Sequence, residues 1–123
     1  MKVLVVENNL VDLKLVSAIL QASGHTVYEL TSAKGAIELI EADRPDVAVI
    51  DLQLPGVNGL DLVREIRRNP KTNALPILAM TAYPSRYPRA ALSDARCHVC
   101  MYKPIDTREL ATRVQEVASN PAA

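Results

Sequence analysis

Asp51 follows directly on the apolar run Val47-Ala48-Val49-Ile50, and Pro55, Gly56, Asn58 and Gly59 come soon after it. A continuous run with β-branched residues reads as a buried parallel strand. The Pro, Gly and Asn residues then bar a quick return to strand or helix. A carboxylate is thus expected in the loop at the carboxyl end of a central strand, the edge where open α/β sheets bind ligands. Three other apolar runs end in the same way. Val3-Leu4-Val5-Val6 leads into Glu7-Asn8-Asn9, Ile77-Leu78-Ala79-Met80 into Thr81, and Val99-Cys100-Met101-Tyr102 into Lys103-Pro104. Parallel strands would gather Glu7, Asn8, Asp51, Thr81 and Lys103 at one sheet edge. Hard oxygen donors suit Mg²⁺, and a hydroxyl and an ammonium suit phosphoryl oxygens. Asp51 could then act as a nucleophile and form an aspartyl phosphate.

With Asp51-x-x-x-Pro55-x-x-x-Gly59, Thr81-Ala82 and Lys103-Pro104 in this order, the chain resembles the receiver domain of two-component response regulators from Met1 to about Ala118. The resemblance implies a domain over residues 1–118 and a short C-terminal tail over 119–123. It implies that Asp51 is the phosphoacceptor, that the Thr81 hydroxyl follows the phosphoryl group, and that Lys103 pairs with the acyl phosphate. It implies a Mg²⁺ site made by Glu7, Asn8, Asp51 and the backbone carbonyl of Gln53, and a cis peptide between Lys103 and Pro104. The side chains of Gln53 and Tyr83 would border the water route to the acyl phosphate and tune its lifetime. The implied phosphodonor is a histidine kinase or a histidine phosphotransfer protein, met over the first helix. The output would be binding to a downstream protein target, and a homodimer through the last two helices is a further option. The chain would then be no enzyme toward a separate substrate, only a phosphoacceptor that assists its own phosphorylation and dephosphorylation.

Three positions depart from the family pattern. Asn8 stands where a second acid is usual, so Mg²⁺ is expected to bind more weakly, since affinity follows ligand charge. Cys100 replaces the aromatic residue three places before the lysine, and Tyr102, on the same strand face, is the candidate stand-in for its switch role. Arg96 replaces a helix-ending glycine; a left-handed conformation is disfavoured there, so the turn is expected to differ. Cys97-His98-Val99-Cys100 also has CxxC spacing. It leads into a strand rather than a helix N-terminus and has no second ligand pair, so ordinary strand packing is expected rather than redox or metal chemistry.

Helical periodicity predicts helices over about 11–22 (Leu13, Val16 and Leu20 inward), from a Ser32 cap through Ala33, Ala36, Ile37 and Ile40, and from Gly59 to about Arg68. In the first, Leu10, Val11, Leu15 and Ile19 add apolar surface that one face cannot bury; they either pack beside a neighbouring helix or form a docking patch. Gly24 reads as a left-handed cap, and residues 25–30 as an edge strand. Arg64, Arg67, Arg68 and Lys71 read as a solvated basic face. Pro84 and Pro88 delay the fourth helix to Tyr87 or Pro88, with little to bury before it ends near Ala95. Asp106-Thr107-Arg108-Glu109 reads as a capping box opening a last helix with Leu110, Val114 and Val117 inward. Five βα units imply a doubly wound five-stranded parallel sheet, order 2-1-3-4-5, with helices on both faces, the flavodoxin-like α/β arrangement.

A length of 123 residues with 49% apolar content fits one core. Fourteen basic against 14 acidic side chains argue against broad nucleic-acid or lipid attraction. No apolar run approaches membrane-spanning length. Two cysteines and no export signal fit free thiols and a cytoplasmic location. The tail is too short to lead to an output domain, so a stand-alone receiver is expected. A phosphorylation-independent interaction module is the alternative, supported by Asn8 and Cys100. A flavodoxin-like electron carrier is disfavoured by Glu7-Asn8-Asn9 in the first loop and by the lack of Trp and Phe.

Overall fold

The computed structural model describes residues 1–97 and 99–119. The strands of the main sheet alternate with helices: β1 (Lys2–Val6), α1 (Leu10–Ala22), β2 (Thr26–Leu30), α2 (Ala36–Asp43), β3 (Val47–Asp51), α3 (Gly59–Arg68), β4 (Ile77–Thr81), α4 (Arg89–Asp94), β5 (Val99–Tyr102) and α5 (Leu110–Ser119), with a small antiparallel hairpin of Gln53–Leu54 and Val57–Asn58 between β3 and α3. The five strands form one parallel sheet in the order β2-β1-β3-β4-β5. All of β3 is buried, as its unbroken apolar run requires. Alternate residues of the central strands feed two cores. Val3, Val5, Val49, Leu78 and Met80 meet Leu13 and Val16 of α1 and Leu110 and Val114 of α5. Leu4, Val6, Ile50 and Ala79 meet Ile40 of α2 and Val63 and Ile66 of α3 on the other face. α4 buries none of its residues and contributes only Ala91 and Leu92 to the edge of that second core.

The helix ends explain several departures from sequence expectation. α1 starts at Leu10 because Asn9 caps it, its Oδ1 accepting from the amides of Val11 and Asp12 at 3.0 Å. Gly24, at φ +91°, closes it as a left-handed cap. Ile19 packs against the core, whereas Leu10, Val11 and Leu15 stay exposed. Ser32 does not cap α2. Its hydroxyl accepts from Lys34 N at 3.3 Å in a local turn, and the helix begins only after Gly35 at φ +82°. The capping box before α5 is incomplete: Asp106 Oδ1 accepts from Arg108 N at 2.9 Å, and the α-helix starts at Leu110. Ser119 belongs to α5, and the rest of the expected tail lies outside the described residues.

The turn after α4 keeps the glycine-type geometry with Arg96 in it, against expectation. Arg96 has φ +55°, its amide donates to Ser93 O, and Cys97 N donates to Leu92 O, the pair of bonds of a Schellman ending. Bonds beyond the turn over-determine it. Arg96 Nη2 donates to Asn73 O at 2.8 Å, and Arg67 Nη2 donates to Arg96 O at 3.0 Å. Arg67 is therefore no part of a solvated basic face. Its guanidinium, half-buried, also donates to Ala95 O at 2.9 Å, Asn73 O at 2.9 Å and Leu75 O at 2.5 Å. It cross-links α3, the approach to β4 and the end of α4, and burial lowers its pKa.

Of the CxxC pair, only Cys100 lies in the strand. Cys97 lies in the turn before β5, not in the strand, so Cys97 and Cys100 face the same core. Both are free thiols. Burial pushes Cys97 up to about 12 and raises Cys100, which leaves neither poised as a thiolate.

Arg67→Ala strands several carbonyls at once and is expected to cost about 3 kcal/mol of stability in urea unfolding. Arg67→Lys should recover less than half, because an ammonium cannot span a planar fork of acceptors. A loss under about 0.5 kcal/mol for the alanine variant would contradict this role.

Candidate phosphoacceptor site

The sheet edge collects the expected residues. Glu7 follows β1, Asp51 ends β3, Thr81 ends β4 and Lys103 follows β5. Lys103 Nζ donates to Asp51 Oδ2 at 3.0 Å. It also lies 2.8 Å from Glu7 Oε2 and 2.9 Å from Asp12 Oδ2. Of the three carboxylates, only Asp51 accepts an aligned hydrogen bond from Lys103, and Glu7 Oε2 is buried without an aligned donor. Glu7 Oε1 accepts from Asn9 N at 2.9 Å, and Asp51 Oδ1 accepts from Gln53 N at 2.9 Å. The Lys103–Pro104 peptide is cis, as expected.

Local sequence dictates this geometry. Asp51 is 2% exposed and still within the ladder, paired in register with Met80. Gly59 is needed directly beneath it. A Cβ on Gly59 would come within 2.5 Å of the Asp51 carbonyl oxygen and of Leu52 Cα. α3 can thus begin only against the backbone that carries the acid, once Asn58 has capped it by accepting from Leu60 N at 2.9 Å.

Asp12 is the acid that sequence reading missed. Starting α1 at Val11 overlooked the Asn9 cap. With Asn9 as cap, Asp12 falls in the first turn, where an acid is favoured and side chains point back over the helix N-terminus. Tyr87 was also missed as a site residue. Its ring is buried, and its hydroxyl donates to Leu52 O at 3.0 Å. Gln53 Nε2 donates to that hydroxyl at 2.5 Å, while Gln53 Oε1 accepts from Thr81 Oγ1 at 2.9 Å and from Ala82 N at 3.3 Å.

Other expected residues fall less centrally. Asn8 is exposed. Tyr83 meets the site by its backbone, N donating to Thr81 Oγ1 at 2.9 Å, while its ring lies 4.4 Å from the Arg86 guanidinium. Cys100 is half-buried, and Tyr102 is 59% exposed. The core that Cys100 packs against contains the buried ring of Tyr87, whereas Tyr102 lies at its exposed rim.

Electrostatics follow from burial and charge count. Burial pushes the Glu7 carboxyl up to about 7, helped by Asp51 and opposed by Lys103. Burial alone would lower Lys103; three carboxylates outweigh it and raise its pKa. Among the described residues, no three His, Cys, Asp or Glu side chains are disposed to hold a metal ion. Glu7 and Asp51 nevertheless form an oxygen-rich pair facing one ammonium. The unaligned Glu7 Oε2 is an acceptor that a hard cation would satisfy.

A parallel five-stranded sheet in this order, with a carboxylate, a hydroxyl and a lysine at its carboxyl edge, defines the flavodoxin-like α/β class, and the comparisons make the class specific. Residues 3–115 match the response regulator receiver domain, and the chain belongs to that family. It is 28% identical over 103 residues to the polar-differentiation response regulator DivK of Brucella anthropi, covering 84% of each chain. A response regulator of Chloroflexus aurantiacus superposes with a TM-score of 0.88 at 28% identity, over 97% of this chain and 98% of that one. The receiver domain of a Pseudomonas aeruginosa sensor histidine kinase, which has a magnesium ion in its active-site cleft, gives a TM-score of 0.85 at 28% identity, over 97% and 98%.

The Glu7 shift fixes a pH dependence. The folded form holds a proton that the unfolded chain releases near its ordinary value of 4.5, so this stabilising contribution is full below that pH and is lost as pH rises through about 7. Urea unfolding of Glu7→Gln should therefore show a shallower fall in stability between these pH values than the wild type. Parallel profiles would contradict the assignment.

Proposed function

We propose that the chain accepts a phosphoryl group on Asp51 from the phosphohistidine of a histidine kinase or phosphotransfer protein, and signals through altered binding to a downstream protein. The observation that carries this reading is the Lys103 ammonium donating to Asp51 Oδ2 within a buried strand-end cluster. An Asp51 oxygen attacks phosphorus, the N–P bond breaks, and its electron pair stays with the imidazole, which takes up a proton. Lys103, already held by three acids, is placed to balance the new dianion. The chain serves as phosphoacceptor and assists its own phosphorylation and dephosphorylation, with no separate substrate.

The residues suited to Mg²⁺ are Glu7, Asp51, Asn8 through its side-chain oxygen, and Gln53 through its backbone carbonyl. When bound, the ion supplies positive charge against the phosphoryl oxygens. Its binding is weaker here because an exposed neutral amide replaces an acid. The exposed apolar side chains Leu10, Val11 and Leu15 lie on α1, beside the site, and suit the phosphodonor's docking. Asn8 also favours the second reading, an interaction module that works without phosphorylation.

Incubation with acetyl phosphate and millimolar MgCl₂, read by intact mass, decides between the two. The wild type should gain one phosphoryl group and Asp51→Asn none, and Asn8→Asp should reach half-labelling at a lower Mg²⁺ concentration. A wild type that gains no more mass than Asp51→Asn would leave only the second reading.

A further inference from the structure

Thr81 has one hydroxyl proton, and the structure gives it to Gln53 Oε1 at 2.9 Å. Gln53 bridges from it to Tyr87, and the polarity of the chain of bonds is fixed. Ala82 N can only donate, so the atom facing it and Thr81 is the amide oxygen. The Leu52 carbonyl can only accept, so the Tyr87 hydroxyl donates there and accepts from Gln53 Nε2. The run is therefore Thr81 to Gln53 to Tyr87 to the backbone immediately after Asp51. Tyr87 is 8% exposed and sits between the turn Pro84–Arg86 and Pro88, which opens α4. Beside it, the half-buried Cys100 lines a groove of about 730 Å³ together with Leu92, Cys97 and Tyr102.

We propose that Tyr87 is a positioning residue that latches Thr81 through Gln53. This rests on the phosphoacceptor reading above. A phosphoryl group on Asp51 is a charged acceptor and competes for the same hydroxyl proton with the neutral amide of Gln53. When Thr81 turns to it, Gln53 Oε1 loses its stronger donor and the hold on Tyr87 loosens. The segment from Tyr83 to α4 is then the part released, because α4 buries none of its own residues to anchor it. The coupling runs through a tyrosine before α4 and needs no aromatic side chain on β5.

Beryllofluoride with MgCl₂, a non-covalent stand-in for the phosphoryl group, tests this on the whole chain. Tyr87→Phe keeps the ring and removes the latch, so it should bind beryllofluoride about fivefold more tightly by ¹⁹F NMR, the equivalent of one hydrogen bond absent from the resting form. A purely structural role for the hydroxyl would instead weaken binding or leave it unchanged, and either result overturns the latch. Independently of any variant, the Tyr87 ring signals of ¹³C-tyrosine-labelled wild type should shift on saturation, and should stay in place in Gln53→Ala. Wild type that binds beryllofluoride with Tyr87 silent refutes the latch alone. Wild type that neither binds it nor labels at Asp51 refutes the phosphoacceptor reading and the latch with it.

Discussion

A lysine ammonium 15% exposed, with three carboxylates within 3.0 Å, is the interaction on which the rest of the site depends. Charges out of water are tolerated only when paired, and each of these acids would be expensive without Lys103. The converse also holds. Three acids against one ammonium leave surplus negative charge, and the proton retained by Glu7 near neutral pH is one way the resting protein relieves it. The arrangement is stable enough to persist yet unbalanced enough to welcome another cation.

The scaffold holds that cluster by backbone contact as much as by side chains. Gly59 lets α3 start on the Asp51 backbone. The register of β3 against β4 sets Asp51 opposite Met80, one residue short of Thr81. Far from the site, Arg67 and Arg96 hold the end of α4 against α3 and the approach to β4. One end of α4 is thus fixed by arginine–carbonyl bonds. The other is tied to the site through Tyr87 and Gln53 and through the Tyr83 amide on Thr81. An element with one firm end and a few polar ties at the other can answer events at Asp51 without disturbing the sheet.

Much of this was legible in the sequence. Unbroken apolar runs identify central parallel strands, and the polar residue that ends each run must lie at the sheet edge, so Asp51, Thr81 and Lys103 could be placed together before any coordinates. What escaped was set by tertiary contact or by choice among near-equivalent caps. Leu10 and Val11 are both credible first residues for α1, and the choice between them hid the Asn9 cap and with it Asp12. Ser32 has a capping residue's chemistry, but a left-handed Gly35 begins α2 instead. Arg96 adopts a glycine's conformation because its neighbours supply carbonyls and a guanidinium at the right places. No local pattern reports that. Tyr87 looked like part of a proline-rich loop, and only the fold shows its hydroxyl beneath the site.

The central claim, that one ammonium is clamped by Asp51, Glu7 and Asp12, is tested most directly by ¹⁵N NMR titration of the Lys103 Nζ. The account predicts a pKa above that of the exposed lysines, with its NH₃⁺ protons protected from exchange at neutral pH, and a fall toward the ordinary value in Asp51→Asn. A Lys103 that titrates with the exposed lysines in the wild type, or is unmoved by Asp51→Asn, would contradict it.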